Sequence, residues 1–179
     1  QRLFLSIAWN ALEDAGYGGD RIHGSQTGIF VGFQSDSEYK NMILKNNPAD
    51  MQYAIPGNDK PIVASRLSYI LDLHGPSVTV DTSCSSYLAA IILACQSLIS
   101  EECSMAIAGG IQLHISPVRH AYIGIEALDG RTKTFDRKSD GTGTGEGVIA
   151  LVLKPLWKAR GDRDHIYAVI KGFAMNHDG

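Results

Sequence analysis

The sequence predicts an α/β fold built of packed layers, on three observations. Short apolar runs read as strands: TGIFVGF at residues 27–33, the Val78/Val80 alternation with Thr79 and Asp81, and Gly147 onward through VIALVLKP. Amphipathic helical periods lie between them. The segment from Ser85 to about Ile99 is apolar almost all round, which reads as a helix buried between layers. Strands interleaved with helices point to α/β layering.

Taken in order, Leu3, Phe4, Ile7, Ala8, Ala11 and Leu12 form one face of a first helix, which Gly16 ends as a C′ residue. Residues 27–33 follow as a buried strand. Ser35 and Asp36 open a short polar helix through Leu44. Residues 45–58, with two prolines and scattered polar groups, read as a long surface loop holding at most a turn of helix. Asp59 is placed to cap a helix beginning near Pro61, with Ile62, Val63, Leu67, Ile70 and Leu71 as its apolar face. His74-Gly75-Pro76 breaks the chain before the strand that leads to Cys84. Beyond the long apolar helix, Ser104–Ala108 and Ile111–Ile115 read as strands joined at Gly109-Gly110 by a hairpin or bulge. Asp129-Gly130 marks a turn, GTGTGEG at 141–147 a glycine loop, and residues 147–155 and 165–173 two more strands.

The chain has 179 residues, 44% of them apolar and 20% charged. That is ordinary globular composition, and a chain of this size buries roughly 70% of its unfolded surface. A net charge of −3 with no basic block argues against nucleic acid and against an anionic membrane surface as partners. The longest unbroken apolar run, Tyr87 to Cys95, is far short of a membrane span. Three cysteines without framework spacing point to reduced thiols and a cytoplasmic setting. With no CxxC and no paired-histidine motif, a zinc site is not expected. Both ends read as cut: Gln1-Arg2-Leu3-Phe4 is already helical in pattern, and the final NHDG is a turn that leads nowhere. Residues 1–179 are therefore expected to be part of a larger domain.

Cys84 stands at the join of strand and helix, in TVDTSCSSYLAAIILAC. There the positive end of the helix dipole and the first-turn N–H groups favour thiolate. Such placement can bring a cysteine pKa down to about 3.5–7.5, and the thiolate is the nucleophile. A cysteine at that place also suits the role of a small buried hydrophobe. Cys95 lies within the apolar helix, and Cys103 follows Glu101 and Glu102, whose charge disfavours a thiolate. Of the three, only Cys84 has the setting of a nucleophile. Ser85 and Ser86 are placed to satisfy first-turn donors.

GTGTGEG is not a P-loop, because no lysine follows its last glycine, and it precedes a strand pattern where a dinucleotide fingerprint should follow one. It reads as a mobile or tightly turned loop. No G-x-S-x-G elbow occurs. The six histidines, at 23, 74, 114, 120, 165 and 177, are scattered, and sequence alone assigns none of them to Cys84.

As a set, these segments resemble the β-ketoacyl synthases, above all the ketosynthase domains of modular polyketide synthases. VDTSCSSYLAA resembles the active-site segment. QRLFLSIAWNALEDAGY, TGIFVGF, LDGRTKTFDRKSDGTGTGEGVIALVLKP and IKGFAMNHDG match further family segments in the same order. The resemblance implies a thiolase-like fold of α-β-α-β-α layers, of which this chain is the N-terminal half. It implies that Cys84 accepts an acyl chain from the phosphopantetheine arm of an acyl carrier protein, with no cofactor bound directly. Decarboxylative Claisen condensation with a malonyl-type extender follows, in a homodimer among other megasynthase domains. The family's decarboxylating histidines stand in HGTGT and NIGH contexts that this chain lacks, so only Cys84 carries over and the segment alone is not expected to condense. Two departures stand out: Tyr87 replaces a small serine, where it shapes an acyl pocket or merely packs, and Ser65 stands where asparagine is frequent. Three alternatives remain: a fatty-acid-type synthase, a non-elongating acyl-transfer domain, and a non-catalytic binding protein on the same fold.

Overall fold

The computed structural model describes residues 1–33, 37–114, 124–143 and 145–177, apart from the side chains of residues 37–39 and 48. Four strands form one sheet in the order β2-β1-β3-β4: β1 Thr27–Phe33, β2 Ser77–Val80, β3 Met105–Gln112 and β4 Gly147–Leu153. β1 is parallel to both neighbours, with Gly32 opposite Val80 and Gly110. β4 runs antiparallel to β3. The helices are α1 Arg2–Asp14, α2 Ser37–Asn46, α3 Met51–Asn58, α4 Pro61–Ile70, α5 Ser86–Ile99 and α6 Leu156–Asp162.

Alternation along β1 and β3 sorts side chains to two faces. Ile29, Val31, Met105, Ile107 and Ile111 join Phe4, Ala8 and Leu12 of α1 and Val63, Ala64 and Leu67 of α4 in the larger core cluster. Phe30, Ala106 and Ala108 point the other way, onto Ala90 and Ala94 of α5. Each large side chain fully buried in this way contributes about 1.5–3 kcal/mol. The connection from β1 to β2 runs over the α4 face and that from β2 to β3 over the α5 face. The two crossovers step in opposite directions along the sheet, so a common hand puts them on opposite faces. This reversal puts the switch point between β1 and β3, where ligands gather outside the carboxyl ends of parallel strands.

Much of the expected outline is present. Gly16, with φ +76°, is the C′ residue of a Schellman motif: its N–H bonds to Glu13 O at 3.0 Å and that of Tyr17 to Leu12 O at 2.7 Å. β1 has the expected bounds, β4 starts where expected and ends two residues earlier, at Leu153, and α5 starts one residue later than expected. The Asp129-Gly130 turn closes with Gly130 N–H on Ala127 O at 2.9 Å.

Five expectations are corrected. Residues 45–58 hold a 3₁₀ turn at Pro48–Asp50 and then α3, with Pro56 inside it. Pro56 removes one backbone donor, while Asn58 Nδ2 donates to the Ala54 carbonyl at 2.7 Å. Asp59 does not cap α4, whose N-cap is Lys60 with no side-chain cap bond; its carboxylate instead pairs with Lys40 at 3.1 Å. Gly109-Gly110 lies inside one continuous strand. A Cβ on Gly109 would stand 2.4 Å from the Phe4 ring, and one on Gly110 3.0 Å from Tyr87, so close packing requires the pair. Residues 165–173 form no strand; Tyr167, Val169 and Ile170 are exposed, and no sheet edge pairs with them among the described residues. Finally, α5 is covered on one side only. Ser86, Ala89, Ala90, Ala94 and Ser97 are buried against the sheet, while Leu88 and Ile99 are 63% and 72% exposed. The small residues let the helix lie close, Ile91, Leu93 and Leu98 pack half-buried beside them, and Leu88 and Ile99 look outward. Within the second half of GTGTGEG, residue 144 lies outside the described residues, as do Ile115 and His120.

Candidate active site

Cys84 lies on the turn between β2 and α5, exposed to solvent, one residue before the helix N-cap, Ser85. Gly32 in β1 lets the helix start so near the sheet: a Cβ there would be 2.5 Å from the Ser86 carbonyl carbon and the Tyr87 nitrogen. The residue before the cysteine, Ser83, has φ +58°, a left-handed conformation that non-glycine residues rarely adopt. The sulfur's nearest hydroxyl partner is Ser83 Oγ, at 3.8 Å.

A network of bonds holds this turn. The Asp81 carboxylate accepts the Ser83 N–H at 3.1 Å and pairs with Lys60 at the head of α4. The Lys60 hydrogen bond, reinforced by that of Ser83, holds the Asp81 carboxyl below the usual carboxylate range. Thr79 Oγ1 donates to the Lys60 carbonyl at 3.1 Å, a second tie between α4 and β2. Ser85 Oγ donates to the carbonyl and hydroxyl of Thr82, at 2.9 Å each. Ser86 Oγ donates to Ser83 O at 2.6 Å and accepts the Thr82 N–H at 2.9 Å.

The two serines thus brace the turn, where satisfaction of first-turn donors had been expected. No side chain caps α5; of its first-turn donors, the Ser86 N–H bonds the Ser83 carbonyl at 3.1 Å. Sequence reasoning missed this bracing because it depends on the left-handed Ser83. Tyr87 packs on Gly110 of β3, and burial pushes its hydroxyl pKa up. Ser65 only donates to Pro61 O within α4, at 3.0 Å.

The other cysteines sit differently. Burial raises the Cys95 thiol pKa. Cys103 is 3% exposed and lies 3.4 Å from Ser97 Oγ. Among the histidines, His74 Nε2 faces Asp72 at 3.2 Å and His165 meets Tyr167 edge-on; neither contact involves the thiol. The His114 backbone N–H donates to Glu146 Oε1 at 2.6 Å, fastening the end of the glycine loop to the end of β3. No cluster of three or more His, Cys, Asp or Glu side chains suited to a metal ion occurs among the described residues. No helix among them is long and apolar enough to cross a membrane.

An exposed thiol beside an uncapped helix start, on a braced turn at the carboxyl end of parallel strands, can attack a carbonyl carbon and place backbone N–H groups near the resulting oxyanion. The chain is 44% identical, over its whole length, to one of the phenolphthiocerol/phthiocerol polyketide synthase polypeptides of Mycobacterium tuberculosis, of which it spans 8%. It is 43% identical to polyketide synthase PksN of Bacillus subtilis, of which it spans 3%. Among solved structures, ketosynthase twelve of the bacillaene polyketide synthase in Bacillus amyloliquefaciens superposes with a TM-score of 0.88 at 32% identity, over 99% of this chain and 32% of that one. The ketosynthase from module 6 of the Bacillus subtilis bacillaene synthase gives 0.80 at 39% identity, over 93% and 28%. The sheet flanked by helices is thus a portion of the ketosynthase, thiolase-like fold, about a third of the solved domains' length. Residues 1–159 match the family described as beta-ketoacyl synthase, N-terminal domain, and the chain belongs to that family.

Proposed function

We propose that residues 1–179 are the cysteine-bearing N-terminal part of a polyketide synthase ketosynthase domain, and that Cys84 is its acyl acceptor. The observation that carries this is the exposed Cys84 on its braced strand-to-helix turn. In the reaction, the Cys84 thiolate attacks the thioester carbon of an acyl group on the phosphopantetheine arm of an acyl carrier protein. A C–S bond forms, the oxyanion is stabilised by backbone N–H groups, and collapse expels the phosphopantetheine thiolate. Condensation then joins this acyl group to the carbanion left when a malonyl-type extender loses carbon dioxide, and returns the Cys84 thiolate. That second step belongs to the whole domain, because the histidines the family uses for it stand in sequence contexts not found here.

The polyketide synthases among the relatives support the polyketide reading over the fatty-acid one. They also support an acyl carrier protein and neighbouring synthase domains as partners; a cytoplasmic homodimer is what the family resemblance implies. In the intact protein, Cys84→Ala is expected to reduce acyl loading by at least ~10³-fold with the circular dichroism spectrum unchanged. Loading retained by that variant would overturn the assignment, and a native Cys84 that takes up no acyl group would leave a binding role on the same fold.

A further inference from the structure

Ser86 is only 5% exposed, and its hydroxyl makes two bonds on opposite sides of the strained residue. It accepts from Thr82 N–H, ahead of Ser83, and donates to the Ser83 carbonyl, behind it. The Ser86 backbone N–H also reaches Ser83 O, at 3.1 Å. Ser83 C=O and Cys84 N–H are the two halves of one planar peptide unit, pointing in opposite directions. Whatever holds that carbonyl therefore aims the Cys84 N–H. The backbone of Ser86 is itself fixed against Gly32, where no Cβ would fit, so the hydroxyl works from a rigid base. A positive φ at a serine persists only when its surroundings over-determine it, and the two hydroxyl bonds supply that constraint together with the Asp81 carboxylate on the Ser83 N–H.

We propose that Ser86 is a positioning residue: its buried hydroxyl locks the Ser83–Cys84 peptide plane and so orients the Cys84 N–H toward the oxyanion formed during acyl transfer. This rests on the reading of Cys84 as acyl acceptor. Alkylation of a thiol needs no oxyanion donor, whereas acylation does, and that difference separates positioning from mere folding.

The test uses the intact protein and site-resolved mass spectrometry, with an acetyl thioester of N-acetylcysteamine as acyl donor and iodoacetamide as alkylating probe. Cys103 serves as the folding control, since it is buried. In Ser86→Ala the donor is misaligned rather than removed, because the backbone bond to Ser83 remains. Acylation of Cys84 is expected to fall about 10-fold, its alkylation to stay within about 2-fold, and Cys103 to stay protected. Ser86→Thr keeps the hydroxyl and is expected to recover most of the acylation. Unchanged acylation in Ser86→Ala overturns the proposal. So does parallel loss of acylation and alkylation, exposure of Cys103, or a threonine variant no better than alanine. A native protein that takes no acyl group at Cys84 instead refutes the acyl-acceptor reading beneath it.

Discussion

At the scale of single residues, the three cysteines report three environments. Cys84 is exposed, Cys95 half-buried and Cys103 buried, and desolvation raises the Cys95 thiol pKa. The thiolate is the reactive form and access governs its capture. Alkylation at neutral pH is therefore expected in the order Cys84, Cys95, Cys103, with at least ~10-fold between the first and last. Peptide-resolved iodoacetamide kinetics would check this, and equal rates would contradict it. The strand-to-helix setting of the proposed nucleophile was legible in sequence, because the switch from strand to helix period at residues 80–86 is unambiguous. Its bracing was not. No pattern announces that Ser83 takes a left-handed φ, and without that turn Ser85 and Ser86 look like ordinary capping serines.

At the scale of elements, the α5–sheet contact decides where Cys84 stands. Gly32→Ala would put a Cβ 2.5 Å from backbone atoms of Ser86 and Tyr87, which cannot rotate away. A loss of about 1–3 kcal/mol is expected, read as a lower thermal midpoint. Gly57→Ala is the control: nothing lies within 4 Å of its Cβ position, and alanine in a helix should be neutral or stabilise by up to ~1 kcal/mol. Equal melting of the two variants would show that the close approach is not limiting. Glycine also explains where sequence reading failed. Gly109-Gly110 looked like a break, yet the pair is demanded by Phe4 and Tyr87, partners distant in sequence. Likewise α3 was hidden by Pro48 and Pro56, whose local preference argued for a loop. β1 and β4 were legible because short apolar runs, IFV in one and VIALVL in the other, leave little choice.

At the scale of the molecule, Lys154 joins the two ends of the described chain. Its ammonium, 8% exposed, pairs with Asp162 and with Asp164 at 2.6 Å and also bonds the Tyr17 hydroxyl just past α1. Burial alone would lower the Lys154 pKa, but the bonds to Asp162, Asp164 and Tyr17 outweigh it and hold the pKa above the usual lysine value. Burial would raise Asp164, and the bonds from Lys154 and Tyr17 outweigh that too, leaving it low. The depressed Asp164 contributes stability above its unfolded pKa of about 3.9, lost as pH falls through the lower folded value. The raised Lys154 contributes below about pH 10.4, lost as pH rises through its folded value. Lys154→Met is therefore expected to cost about 1–3 kcal/mol in denaturant melts, evenly across the neutral range and less below pH 4. A cost that varied between pH 6 and 8 would contradict this assignment. The exposed Leu88 and Ile99 of α5 are one place where the layered fold read from sequence exceeds what the described residues contain. The all-round apolar pattern was real, and only one of its faces meets the sheet here.

The most direct measurement is to expose the intact protein to an acyl thioester and map the acyl group by peptide mass spectrometry. A single acyl adduct on the peptide carrying Cys84, with Cys95 and Cys103 unmodified, is the expected result. An adduct on another residue, or none at all, would contradict the account of Cys84 as the acyl acceptor.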